Sequence, residues 1–220
     1  MIELYAITPH PGPSLPDVAP LREVSRDGLS AVCTDAAAAG TPTPERLWEH
    51  ERVVEALMES RDLLPVRYGT HVPDEDAVAR ALHQRRDDLA RALEFVRGAV
   101  EVSLRVFALD GNDPDEAPRE PAPSGTDYLR DKARLANAQA AAARAVHEPL
   151  SAVARADSTR PPRLDRELLR AAYLVDRGRV EGFARLVTTL QESNPALRLL
   201  CTGPWPPYNF VPGGDAAALA

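Results

Sequence analysis

Twenty-one prolines punctuate this 220-residue chain, roughly twice the usual share of about 5%. They cluster at residues 9–20, 42–44, 114–123, 161–162 and 204–212. Proline lacks a backbone N–H and fixes φ, so such clusters fit neither a helix interior nor a central strand. They therefore mark connections, and the elements must lie between them.

Read between those marks, the chain alternates strands and helices. Ile2–Thr8 is apolar and rich in β-formers, which predicts a strand. Leu21–Ser25 and Leu29–Thr34 form a hairpin around Asp27-Gly28, a dipeptide that tolerates positive φ. Thr43 and Pro44 open a helix as cap and first residue, and Leu47, Val54, Leu57 and Met58 share one face of it. Leu63–Tyr68 reads as a brief strand. Asp74 caps one long helix whose apolar stripe is Val78, Leu82, Leu89, Leu93 and Val96, and Gly98 ends it.

Val100, Val102, Leu104 and Val106 then alternate with Glu101, Ser103 and Arg105, a period of two that defines a half-buried strand. Gly111–Gly125 is a polar, proline-rich loop. Thr126–Asp157 is Ala/Arg-rich and helical by propensity, with a kink or break near Glu148 imposed by Pro149. Arg160–Arg163 is a loop and Leu168–Val175 a strand. Arg179–Ser193 is an amphipathic helix, and Leu197–Cys201 a last strand.

This order predicts an α+β fold of two small domains: an N-terminal mixed α+β domain over residues 1–97, and a modified ferredoxin-like domain over 98–220 that carries the GPWPPYNFV tail. From 98 the order is βαβαβ, one strand short of the ferredoxin-like pattern. A single continuous sheet is the alternative, because no flexible linker marks the junction.

Charge and composition exclude several roles. A net charge of −7 argues against nucleic acid, which asks for a basic face. The N-terminus MIELYAIT has no basic region before its apolar run, unlike a signal peptide. No stretch approaches the roughly 20 apolar residues of a membrane span. Cys33 and Cys201 show no paired spacing, which suits a reducing cytoplasm.

Catalytic signatures are missing too. There is no phosphate loop and no GxGxxG after a strand. Gly28-Leu-Ser30-Ala-Val32 lacks the second glycine of a nucleophile elbow and sits in a hairpin. His50-Glu51 suggests a zinc helix, but position 54 is Val54 where a second histidine is required. His10, His71, His83 and His147 are scattered. No cofactor or metal is read from the sequence, and no enzymatic role. Arg67, in an otherwise apolar run, needs a partner or a strand end; functional contact and internal ion pair both remain open.

The C-terminal segment Gly203–Val211 interleaves Pro204, Pro206 and Pro207 with Trp205, Tyr208 and Phe210. Aromatics this dense gain roughly 25 cal/mol per Å² by leaving water, so the tail must lie against the body of its own domain or against a partner.

Here the chain resembles the gas vesicle GvpF/GvpL family. The resemblance rests on Tyr173-Leu-Val175 followed by Gly203-Pro-Trp-Pro-Pro-Tyr-Asn-Phe-Val211. Four earlier stretches are similar in order: Leu4-Tyr5-Ala6-Ile7, His50-Glu51-Arg-Val-Val54, Leu64-Pro-Val-Arg67-Tyr-Gly69 and Gly125-Thr-Asp-Tyr128-Leu129. Tyr68 replaces the more usual Phe, and Asn209 stands where Ser is common. The resemblance implies an accessory or minor structural protein of gas vesicle assembly. It would bind the small hydrophobic shell protein GvpA, and other gas vesicle accessory proteins, inside the cell. It singles out His50, Glu51, Arg67, Tyr128, Trp205, Tyr208 and Phe210 as structural or partner contacts. A small enzyme or ligand sensor on a ferredoxin-like scaffold is the competing reading, on fold analogy alone.

Overall fold

The computed structural model describes residues 1–36, 43–109, 125–164 and 166–211. Nearly all of the expected Gly111–Gly125 loop lies outside the described residues. The chain forms two compact units, Met1–Glu101 together with the chain from Trp205 onward, and Val102–Pro204. The sequence reading puts the tail with the second domain; in the structure it belongs with the first.

In the first unit, β1 (Ile2–Pro9), β2 (Arg22–Arg26), β3 (Leu29–Asp35), β4 (Leu64–Pro65) and β5 (His71–Val72) form one sheet. Its order is β2-β3-β1-β4, with β5 also on β1. The β2–β3 hairpin turns at Asp27 (φ 51°) and Gly28 (φ 81°), the left-handed pair that Asp-Gly supplies cheaply. The predicted Leu63–Tyr68 strand shortens to two paired residues, although Val66 N–H still donates to Tyr5 O at 2.8 Å. The β1–β3 register shifts between Leu4 and Ala6. That bulge frees Tyr5 from the ladder and lets its ring turn toward the helix above.

That helix is α1 (Pro44–Ser60), capped by Thr43 Oγ1, which accepts from Arg46 N–H. His50, Val53, Val54, Leu57 and Met58 form its buried face, whereas Leu47 is 45% exposed. The predicted single helix from Asp74 is two: α2 (Glu75–Gln84) and α3 (Arg86–Val96). Arg85 breaks it at φ −108°, ψ 14°. No glycine or proline announces this break. The side chains flanking it, His83 and Arg86, both reach Asp27 in the β2–β3 turn. All five residues of the predicted stripe are buried nonetheless.

The second unit departs from expectation by one strand. β6 (Ala99–Ala108), α4 (Gly125–Val153), β7 (Ala156–Arg160), β8 (Glu167–Asp176), α5 (Val180–Ser193) and β9 (Leu197–Trp205) follow in sequence, β6 and β9 crossing the unit boundary. The sheet order is β7-β8-β6-β9. This is the complete βαββαβ ferredoxin-like arrangement, not one lacking a strand. β7, with sequence ADSTR, is a polar edge strand with no buried residue, so it shows no alternation to read.

α4 continues through Pro149 to Val153, without the expected break. The proline forfeits one helical hydrogen bond, a cost of roughly 3 kcal/mol. Val146 and Leu150 on either side are fully buried, each worth about 1.5–3 kcal/mol, so packing outweighs the breaker. The core also takes Val102, Leu104 and Val106 from β6, Leu169, Ala171, Tyr173 and Val175 from β8, and Phe183 and Val187 from α5. Tyr173 hydroxyl bonds His147 Nδ1 at 2.8 Å, and burial pushes its pKa well above the ordinary phenol value.

Candidate functional site

Four of the five stretches that precede or follow one another in the family-like pattern meet in the first unit. His50, on the buried face of α1, is 1% exposed. Its ring stacks on Tyr5 (centroids 4.8 Å) and meets Tyr68 edge-on at 5.6 Å. Nε2–H donates to Val66 O at 2.8 Å. Nδ1 lies 3.2 Å from Glu3 Oε1, within hydrogen-bonding reach of the carboxylate. The opening strand, the His50-Glu51 helix and the Leu64–Gly69 stretch are thus locked together by one ring. Burial, and then the charges of Glu3 and Glu49, push the Tyr5 phenol up to about 12.

Glu51, one residue on, faces the tail. Tyr208 hydroxyl donates to its carboxylate at 3.1 and 3.2 Å, across 157 residues of sequence. Burial raises the Glu51 pKa, and the Tyr208 hydrogen bond opposes that rise. Burial, then the Glu51 charge, raises Tyr208 in turn. Next to it, Asn209 holds Glu101: the backbone N–H donates to Oε2 at 2.9 Å and Nδ2 to Oε1 at 2.6 Å. Glu101 is only 4% exposed, although strict alternation along β6 would put it in solvent. Two N–H groups held in a fork match the two carboxylate oxygens, which is how a buried charge is satisfied.

The tail reaches these carboxylates through a 3-10 turn at Tyr208–Phe210, with Pro206 and Pro207 buried before it. Phe210 is half-buried and lines an open groove of about 550 Å³ with Ala92, Phe95 and Val211. Trp205 is 40% exposed. Arg67 is exposed just beyond β4, and its charge opposes the rise of the Tyr208 phenol pKa that burial causes. Tyr128 stands apart, 54% exposed on α4 of the second unit.

Sequence reading misses Glu101 and the role of Asn209. The only signal is the departure at Asn209 itself: a serine there would lack the Nδ2–H₂ that completes the fork.

A cavity of about 170 Å³ opens beside His50, lined by Glu3, Tyr5, Arg46, Glu49 and Tyr68 among others. Among the described residues no group of three or more His, Cys, Asp and Glu side chains is placed to hold a metal. Ser30 does find a histidine, with His10 Nδ1 3.0 Å away. However, Ser25 shares that nitrogen at 3.1 Å and Glu23 approaches the same atom at 3.9 Å. A relay needs the acid on the opposite ring nitrogen, and Ser30 is fully buried, so no nucleophile is assembled.

Fold and site together define a two-unit α+β protein, ferredoxin-like in its second unit, in whose first unit His50, Glu51 and Tyr208 take part in buried and half-buried polar contacts. Two solved structures share this fold: gas vesicle protein GvpF from Anabaena sp. PCC7120 (TM-score 0.83, 20% identity, 96% of this chain and 95% of that one), and GvpF from Microcystis aeruginosa (TM-score 0.79, 21% identity, 96% and 98%). The family model described as gas vesicle synthesis protein GvpL/GvpF matches residues 3–212, and the chain belongs to that family. It is 35% identical over 181 residues to gas vesicle protein L of Streptomyces sp. strain CB03234, covering 74% of this chain and 67% of that protein. It is 28% identical over 235 residues to gas vesicle protein F of the same strain, covering 94% and 98%. No described helix is long and apolar enough to cross a membrane.

Proposed function

We propose that this protein is an accessory or minor structural component of gas vesicle assembly, acting in nucleation or growth by binding the small hydrophobic shell protein GvpA. The supporting observation is the family match across residues 3–212, with relatives named gas vesicle proteins F and L. The physical rationale is that an apolar shell subunit needs its sticky surface covered before it assembles. In this reading the protein works in the cytoplasm and at the gas vesicle, contacts other accessory proteins there, and catalyses no reaction. His50, Glu51, Tyr208 and Phe210 shape the first unit, and Arg67 and Trp205 offer exposed groups to a partner.

Co-purification of the full chain with the shell protein tests this directly, alongside deletion of its gene in a vesicle-forming host. Retention of the shell protein and loss of vesicles are expected. Absent association together with normal vesicles would overturn the proposal. A metabolite that survives purification in the cavity beside His50 would favour the sensor reading instead.

A further inference from the structure

Tyr5 is buried and yet carries an unused polar group. The residue is 7% exposed, with its ring stacked on His50. Its hydroxyl has no hydrogen-bond partner among the described residues, and it is not sealed off either. A hydroxyl taken out of water and left unbonded costs free energy. Tyr5 lines the cavity of about 170 Å³ beside His50, and there its hydroxyl can be met from outside.

The other polar groups around that cavity are mostly acceptors. His50 already uses both nitrogens, on Val66 O and toward Glu3. His71 Nδ1–H donates to Gly69 O at 2.9 Å, which leaves Nε2 a bare acceptor. Asp35 is taken by Arg22 at 2.6 Å. The charges that remain on the lining are Glu3 and Glu49 against the exposed Arg46. At the Tyr5 hydroxyl the balance is one-sided: burial, and then Glu3 and Glu49, raise its pKa with no cation in opposition. Among the described residues these groups form no metal cluster, so the match is an organic cation.

We propose that this cavity is a binding site for an alkylammonium group, whose N–H bonds go to the Glu3 and Glu49 carboxylates and to the Tyr5 oxygen. An ammonium has three donors and no acceptor, the complement of such a lining. At roughly 30 Å³ per water, the volume equals about five or six waters, room for the ammonium and a few methylenes behind it. A lysine side chain of a partner protein and a free primary amine present the same chemistry. The site does not depend on shell-protein binding, and its test reads amine binding alone.

The test is a titration of the 15N-labelled full chain with n-butylamine at neutral pH and low salt, followed by amide shifts around Tyr5 and Glu49. Saturable binding is expected. Butanol and butyrate should be silent, and butyltrimethylammonium, charged but without an N–H, roughly tenfold weaker. Tyr5→Phe and Glu49→Gln, both close to the parent in shape, should each weaken butylamine about tenfold. Nα-acetyl-lysine N-methylamide separates the two sources: binding as tight as butylamine assigns the site to a protein lysine, and its rejection assigns it to a free amine. Absence of butylamine binding overturns the proposal. So does equal binding of the quaternary ion, or butylamine binding that both variants leave unchanged. Where a variant folds poorly, the ligand series on the unaltered chain decides.

Discussion

The two units are held together by different physics. The second is a regular sheet under two helices, its core built from aliphatic side chains of β6, β8, α4 and α5 around Tyr173. The first adds a set of polar contacts between stretches far apart in sequence: His50 to Val66 and Glu3, Tyr208 to Glu51, and Asn209 to Glu101. Hydrophobic burial is non-directional and tolerates substitution of similar shape. Buried hydrogen-bonded carboxylates are directional and tolerate little. Most of the family-like motifs accordingly fall in the unit where the contacts demand particular side chains.

That contrast can be broken from either side. Truncation in the aliphatic core should have the largest effect. Leu150→Ala removes a fully buried side chain and should cost about 2–5 kcal/mol, read as a lowered urea midpoint, with the Tyr208–Glu51 contact of the first unit left intact.

Asn209→Ala should come next, at about 1–3 kcal/mol, because Glu101 then keeps only the backbone donor of the fork. Asn209→Ser should recover part of it. Trp205→Ala should also lower the melting temperature, by less, since that ring is 40% exposed. If Trp205→Ala is the more damaging, apolar cover rather than carboxylate capture anchors the tail.

The third effect depends on pH. Burial raises the Glu51 pKa above its ordinary value, so the folded protein holds that proton more tightly than the unfolded chain. The resulting stability is present below the ordinary carboxylate range and is lost as pH rises through the raised folded value. Glu51→Gln should therefore gain on the parent as pH climbs from the acid side toward neutrality, in parallel thermal melts. A difference that stays flat with pH would mean that Tyr208 fully compensates the buried charge.

Arg67→Ala should be the mildest. An exposed residue beyond a strand end should shift stability by no more than about 0.5 kcal/mol, so any loss of shell-protein co-purification would report contact rather than folding.

Much of this architecture was legible in the residues. The Asp27-Gly28 turn, the Thr43 and Asp74 caps and the stripes of Val78–Val96 and Leu169–Val175 depend on neighbours a few positions away, and all appear as read. The break at Arg85 was not legible, since its flanking side chains answer to a turn nearly sixty residues earlier. Nor was the passage of α4 through Pro149, where burial of Val146 and Leu150 overrides a local penalty. β7 escaped because an edge strand without a buried face leaves no period.

The tail shows the division most clearly. Its prolines and aromatics, by themselves, marked the family and called for cover; the chain is extended only as far as Trp205, which stays 40% exposed, and then turns at Tyr208–Phe210. Which unit it joins was decided by carboxylates at Glu51 and Glu101, 157 and 108 residues away along the chain. A buried charge must find donors wherever the fold brings them, and no local pattern encodes that distance.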